Sequence, residues 1–300
     1  MKTPKVAIIT STFNQLELLQ KCLNSLKKKT DYSNFKVFVI DDSGLGEIGN
    51  SIKKEFKWVD VIINKENLGF SKSNNRGIKI AIENYNPDYF LLLSDDTEII
   101  EKNWLKKMVE VSESDKKIGI VGCKVIYPDG SLQWFFSNGK IHFDRVNKKL
   151  KDEKSTEVIK EVGDVIGACF LIKKEVIEKI GLLDEKFSPA YGEDTDFCYR
   201  ARKKGFKLFY VGTVKIIHYG SRSTKTVFNI WFIKKRNAIR LEWLNFGLIK
   251  ILKYTFIHLG SSILSDHPFK KLELLAKAYR ENIANFKEIS EKRKDRNKND

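Results

Sequence analysis

The sequence predicts an α/β protein built on a mostly parallel central sheet with helices on both faces. Three observations lead there. Over the first hundred residues, short apolar runs alternate with stretches of helical spacing. The apolar runs are β-branched and nearly unbroken, as in strands covered on both faces rather than one. Beyond them stand polar residues, and in open parallel sheets ligands bind past the carboxyl ends of the strands.

"KVAIIT" (5–10) is the first strand and "NQLELLQKCLNSLKKK" (14–29) the first helix. "KVFVID" (36–41) is the second strand, a helix follows through Lys57, and "VDVIIN" (59–64) is the third strand. "SKSNNRGIKIAIENY" (71–85) returns as a helix to the fourth strand, "DYFLLLS" (88–94). The groups beyond the four strand ends are Ser11 and Thr12, Asp41 and Asp42, Asn67, and Asp95 with Asp96.

The middle of the chain changes character. "IGIVGCKVIY" (118–127) is a strand, and "WFFSNGKIHF" (134–143) predicts a hairpin around Asn138-Gly139, the turn pair favoured in type I′ hairpins. Residues 147–161 form a polar loop, and "VIGACFLI" (165–172) is a strand followed by a short helix that Gly181 stops. A helix runs from near Glu193 to Lys204, and "KLFYV" and "VKIIHY" are two further strands. From Val227 the chain is helical and basic, and its last ten residues, "EKRKDRNKND", read as a disordered charged tail.

Composition narrows the class. With 42% hydrophobic residues in 300, the chain can bury a large core, which excludes a disordered protein. The net charge is +16, and residues 221–300 hold 18 Lys/Arg against 8 Asp/Glu, so most of the excess lies there. Such a segment suits an anionic partner. Its aromatics, Trp231, Phe232, Trp243 and Phe246, recur at helical spacing, which favours an amphipathic helix over a nucleic-acid module. That helix either packs on the rest of the protein or lies on an anionic membrane. Cys22, Cys123, Cys169 and Cys198 form no CxxC pair and read as buried free thiols. The opening "MKTPKVAIIT" has no apolar signal-peptide core and no run reaches 18 apolar residues, so the expected location is cytoplasmic, with peripheral membrane attachment as the candidate alternative.

Three features carry chemistry. Asp95 and Asp96 follow a strand of five apolar residues, and adjacent carboxylates repel more strongly as water is removed. A surface turn would tolerate them; after so apolar a strand they point to a divalent cation, Mg²⁺ or Mn²⁺, which prefers oxygen ligands and can bind a diphosphate. Glu193, Asp194 and Asp196 open a helix, where they either complement its dipole or supply a general base. His218 ends an apolar strand, as a satisfied edge residue or a metal ligand.

In their order these segments resemble the family-2 glycosyltransferases of the GT-A fold, in particular the rhamnosyltransferase-like branch. The stretches are "IITSTFNQLELLQKCLNSL", "VFVIDDSG", "NLGFSKSNNRGI", "YFLLLSDDTEI", "VIGACFLIKKEVIEKIGLLDEKF", "YGEDTDFCYRARKKGF" and "VKIIHYGSRS", over about residues 4–225. The resemblance implies a catalytic domain over 1–225 (a nucleotide-binding half 1–100, an acceptor half 101–225), a helical extension over 226–290 and a tail over 291–300. It implies an inverting enzyme that moves a sugar from a UDP- or dTDP-linked donor to a hydroxyl of a glycan or lipid-linked acceptor, in cell-surface polysaccharide or glycolipid synthesis. Asp194 then matches the base, with Glu193 beside it. Asp96 and His218 match ligands of the divalent cation, and Asp95 a group facing sugar or ribose. Ser11 and Asp42 match contacts to the nucleotide base, and Asn67 and Gly69 the loop lining the donor cleft. The first position of the acidic motif, Asp in many members, is Ser94 here. A sugar-1-phosphate nucleotidyltransferase would need a Gly-rich basic loop after the first strand, where this chain has "TSTFNQLE". A non-catalytic nucleotide-sugar-binding protein on the same fold is the remaining alternative.

Overall fold

The computed structural model describes residues 3–134, 156–220 and 227–298. The chain forms two compact units, one of residues 1–189 with 193–223 and one of residues 190–192 with 224–300.

The first unit begins as strands β1 (Val6–Thr12), β2 (Phe35–Asp41), β3 (Val59–Ile63) and β4 (Tyr89–Leu93), linked by helices α1 (Leu16–Lys29), α2 (Glu47–Glu55) and α3 (Phe70–Tyr85). All pairings among these strands are parallel. Successive side chains on a strand point to opposite faces, and both faces here are covered. Val6, Ile8, Leu91 and Leu93 pack with Leu19, Leu23 and Leu26 of α1 on one side. Ala7, Ile9, Phe90 and Leu92 pack with Ile78 and Ala81 of α3 on the other. Burial on two faces is why the strands lack a polar alternation, and each fully buried Leu, Ile, Val or Phe contributes roughly 1.5–3 kcal/mol.

The chain continues through β5 (Thr97–Ile99), α4 (Trp104–Glu113), β6 (Ile118–Ile126), β7 (Leu132–Trp134), β8 (Ile159–Glu161), β9 (Cys169–Lys173), α5 (Lys174–Ile180), α6 (Glu193–Lys203) and β10 (Lys207–His218). The sheet order is β3-β2-β1-β4-β9-β6-β10-β5, with β7 on β6 and β8 on β10. β9 runs antiparallel between β4 and β6, so the mostly parallel sheet is mixed at its centre.

Three expectations change here. β5, antiparallel to β10, is too short to show as a pattern in the sequence. Residues 159–161, expected in a polar loop, are strand β8. "KLFYV" and "VKIIHY" are one strand, β10, with an irregularity between Val211 and Lys215. Gly212 marks no turn: its N–H donates to Val158 O at 2.8 Å. A Cβ there would stand 1.9 Å from Thr156 O, so the glycine admits a neighbouring backbone. The hairpin expected around Asn138-Gly139 lies outside the described residues.

The second unit holds α7 (Val227–Asn245), α8 (Leu248–Ile263), α9 (Pro268–Ala284) and α10 (Phe286–Lys298). Trp231, Phe232 and Trp243 pack against Ile239, Leu275 and Ala278. Phe246 is buried and stacks on Tyr254 with ring centroids 5.7 Å apart. Phe246 is thus interior to the helical unit, while Trp231, Phe232 and Trp243 are half-buried against its core. Residues 291–298, expected in a disordered tail, continue helix α10. Their charges explain it: Arg293 donates to Trp243 O at 3.1 Å and Arg296 to Asn245 Oδ1 at 2.9 Å, while Glu288 takes both terminal nitrogens of Arg240. Cations at the end of α7 also complement its dipole. All four cysteines are free and buried. Among the described residues no helix is long and apolar enough to cross a membrane.

Replacing Gly212 by Ala should force β8 off β10 and cost about 1–3 kcal/mol, the usual range for overpacking. Urea unfolding will read this as a lower midpoint with an unchanged slope.

Candidate active site

Ser94, Asp95 and Asp96 are the three residues between β4 and β5. On the sheet path those strands are four steps apart, about 19 Å if the sheet were flat. Four residues of chain reach at most about 14 Å. The sheet therefore curls back on itself, and the acidic link sits where its two parts meet. Ser94 N–H donates to Ala168 O at 3.1 Å, and Thr97 returns its N–H and hydroxyl to Ser94 O at 3.3 and 2.8 Å.

The pairing of β5 with β10 sets Thr97 opposite His218. It brings His218 Nε2 to 3.0 Å from Asp96 Oδ1. The other ring nitrogen, Nδ1, lies 2.7 Å from Gln133 Oε1. A proton held on Nδ1 by Gln133 leaves the Nε2 lone pair toward Asp96, the arrangement in which an imidazole binds a metal. Asp95 has a different setting. It is half-buried, and burial, then the charge of Asp96, pushes its carboxyl up to about 7, against the opposing influence of Thr12 and His218. The two adjacent acids thus meet different neighbours. Among the described residues no three His, Cys, Asp or Glu stand together as a metal cluster.

The loop after β3 is clamped by Asp42. Its Oδ1 accepts from Asn64 Nδ2 at 2.7 Å and Leu68 N at 2.9 Å, and its Oδ2 accepts from Gly69 N at 2.9 Å. Asn67 closes the turn by accepting the same Gly69 N–H at 3.0 Å. Gly69 has φ +78, and a Cβ there would sit 2.6 Å from Ser188 Oγ. Conformation and space both require glycine. Phe70, the first residue of α3, donates its N–H to Pro189 O at 2.8 Å. Ser11 stands on the neighbouring strand end, its hydroxyl accepting from Asn74 Nδ2 at 3.1 Å.

The three acids opening α6 separate into three settings. Asp196 is buried and accepts Arg200 Nε at 2.9 Å, while that guanidinium also donates to Ile180 O and Leu182 O. It is an internal brace. Asp194 accepts Gly167 N at 2.9 Å and Thr195 N at 2.7 Å. Burial still raises its carboxyl, against those hydrogen bonds. Glu193 is only 5% exposed, and among the described residues its Oε2 has no hydrogen-bond partner. Burial, then the charge of Asp194, pushes it well above the usual carboxylate range.

Several expected residues come together. Asp96 meets His218, and Asp42, Asn67 and Gly69 share one turn. Glu193 and Asp194 are linked to the acidic tip through Gly167 and Ala168, and Ser11 is tied to α3 rather than to any of these. Sequence reasoning missed Gln133, Asn74 and Gly167. Gly167, in "VIGACF", carried the only available signal, a small residue before a buried strand.

Residues 7–181 match Glycosyl transferase family 2. The O-antigen biosynthesis protein RfbC of Myxococcus xanthus is 25% identical over 74% of this chain and 18% of its own length. The GalNAc(5)-diNAcBac-PP-undecaprenol beta-1,3-glucosyltransferase of Campylobacter jejuni is 22% identical over 69% of this chain and 62% of its own. The chain spans a quarter or less of the length of the first relatives it matches. Among solved structures, GalNAc-T7 with UDP, GalNAc and Mn²⁺ superposes with a TM-score of 0.64 at 15% identity, over 95% of this chain and 57% of that one. At that identity the likeness is one of fold, and it is the GT-A fold.

The raised carboxyl of Glu193 makes stability pH-dependent with a defined sign. As pH rises, the unfolded chain gives up this proton first, so unfolding gains. The wild-type protein should lose stability as pH rises above the ordinary glutamate range toward the raised folded value. Glu193→Gln should remove that part of the slope, being clearly more stable than wild type at pH 8 and little different at pH 4. Urea midpoints at the two pH values measure it.

Proposed function

The chain belongs to glycosyl transferase family 2, and on that premise we propose that it moves a hexosyl group from a UDP- or dTDP-linked sugar to an acceptor hydroxyl, with inversion at the anomeric carbon. The acceptor is a glycan or lipid-linked saccharide of cell-surface polysaccharide or glycolipid synthesis. The enzyme works as a peripheral protein on the cytoplasmic face of a membrane. One observation carries the proposal. The acidic tip and the acids of α6 are joined through consecutive residues, Ser94 on Ala168 and Asp194 on Gly167. A diphosphate-binding group and a base are thereby available to one substrate.

Asp194 takes the proton of the acceptor hydroxyl as that oxygen bonds to the anomeric carbon. The bond from that carbon to the diphosphate oxygen breaks, and its electron pair leaves with the nucleoside diphosphate. A raised carboxyl is a stronger base near neutral pH than an ordinary aspartate. Asp194 suits the role better than Glu193 because it is half-buried, whereas Glu193 is enclosed. Asp95 meets sugar hydroxyls. Ser11 and Asp42 serve the base end of the donor, and Asp42 does so while holding the 64–69 loop that carries Asn67 and Gly69.

The donor set fits a divalent cation, with a carboxylate oxygen and an imidazole nitrogen 3.0 Å apart and Gln133 fixing the imidazole's other side. Asp96 and His218 would hold Mg²⁺ or Mn²⁺, whose positive charge stabilises a leaving diphosphate. Because Ser94 brings no carboxylate, Asp96 and His218 would be the side chains that hold the ion, with donor oxygens and water left to complete its binding. The Mn²⁺ and UDP recorded with GalNAc-T7 support the same assignment.

Turnover of a panel of nucleotide sugars with and without Mn²⁺ tests the class. Asp194→Asn should lower kcat by about 10²-fold or more, the usual worth of base catalysis, with donor KM little changed. Transfer at the wild-type rate would remove Asp194 from the role. Asp96→Asn should abolish the Mn²⁺-dependent part of the thermal shift caused by the nucleoside diphosphate.

A further inference from the structure

Helix α8 is amphipathic in the wrong direction for water. Its inward side is polar. His258 and Ser262 are buried, and Thr255 accepts the Tyr279 hydroxyl at 3.0 Å. His258 Nε2 lies 2.9 Å from Glu242 Oε1 on α7, and Nδ1 lies 3.4 Å from Lys235 Nζ. Its outward side is apolar. Ile249, Leu252, Phe256 and Ile263 fall at spacings of three, four and seven on one face, with Ile249 86% and Phe256 71% exposed. The stripe continues past the helix end into Leu264 and Phe269, 88% and 87% exposed. Isolated exposed apolar residues are ordinary, but a continuous face that turns polar groups inward and apolar groups outward is not.

We infer that this face docks on an anionic lipid surface, with α8 lying in the plane of the headgroups. Charge selects that occupant. Lys253 lies within the edge of the apolar arc and Lys250 just beyond it, and residues 221–300 carry 18 Lys/Arg against 8 Asp/Glu. Basic residues flanking an apolar face match headgroup phosphates above acyl chains. Length excludes spanning: 16 residues reach about 24 Å, short of a hydrocarbon core of about 30 Å. The inference deepens the peripheral part of the proposed function by naming its surface, and no donor or metal chemistry enters it. The contact surface is α8, and not Trp231, Phe232, Trp243 and Phe246, which pack against the core of the helical unit or lie within it.

Flotation of the full chain with phosphatidylcholine vesicles, alone or mixed with phosphatidylglycerol, tests it. The chain should float with the mixed vesicles and far less with phosphatidylcholine alone. Leu252→Asp with Phe256→Asp should lower the floated fraction at least tenfold at unchanged helical circular dichroism. Lys250→Glu with Lys253→Glu, which keeps the apolar face, should remove the preference for phosphatidylglycerol. A wild-type chain that stays with the soluble fraction, or an aspartate variant that floats equally, overturns the inference. So does a dimer in sedimentation that the aspartate variant splits, since a second copy would then cover the face. Transfer to a soluble acceptor, assayed in parallel, separates failure of lipid docking from failure of the transferase assignment.

Discussion

At residues 166–168 the chain turns into β9, and its backbone there serves two acidic segments at once. Ala168 O accepts the N–H of Ser94, and Gly167 N–H is given to Asp194. The antiparallel register dictates this. Cys169 lies opposite Leu93, so the start of β9 must sit over the end of β4. A parallel strand in that place would bring its last residues to the acidic tip instead of its first. Gly167 enters this constraint through its backbone N–H, since a Cβ there would make only an ordinary contact, 3.4 Å from Asp194 Oδ2.

The candidate site is acidic in a basic protein. Asp95, Glu193 and Asp194 are all raised, each chiefly by burial. None of the three has a salt-bridge partner among the described residues, whereas buried Asp196 is paired with Arg200. Unpaired buried acids are costly and paired ones are braces. Along the first turn of α6, Glu193 and Asp194 thus lack the cation that Asp196 has in Arg200 among the described residues. The net charge of +16 favours the approach of an anionic substrate over the longer range.

Much of this was legible in the sequence, and the reasons differ by element. The parallel half read well because strands buried on both faces show as unbroken apolar runs, and the acidic ends of those runs marked the ligand edge. Residues joined by tertiary pairing read poorly. β5 is three residues long and exists because β10 lies beside it. Gln133 has no local pattern, and its meaning comes only from His218, 85 residues later. "KLFYV" and "VKIIHY" read as two strands, and the Gly212 between them does not show in sequence whether it marks a turn or a close approach. The C-terminal aromatics showed helical spacing, but spacing alone does not say whether a face looks inward or outward.

The β5–β10 pairing also bears on how the protein is made. Tyr219 reaches Glu98 across 121 residues of sequence, and His218 reaches Asp96 across a similar stretch. At a synthesis rate of about 5–20 residues per second, the acidic link leaves the ribosome on the order of ten seconds before the strand that completes it. For the first part of that interval β4 lacks β9 as well, so one of its edges stays open to other chains. Closing such long loops makes this pairing a late event in folding. Formation of the His218–Asp96 contact therefore reports that β5 and β10 have paired, beyond the closing of the parallel strands β1 to β4.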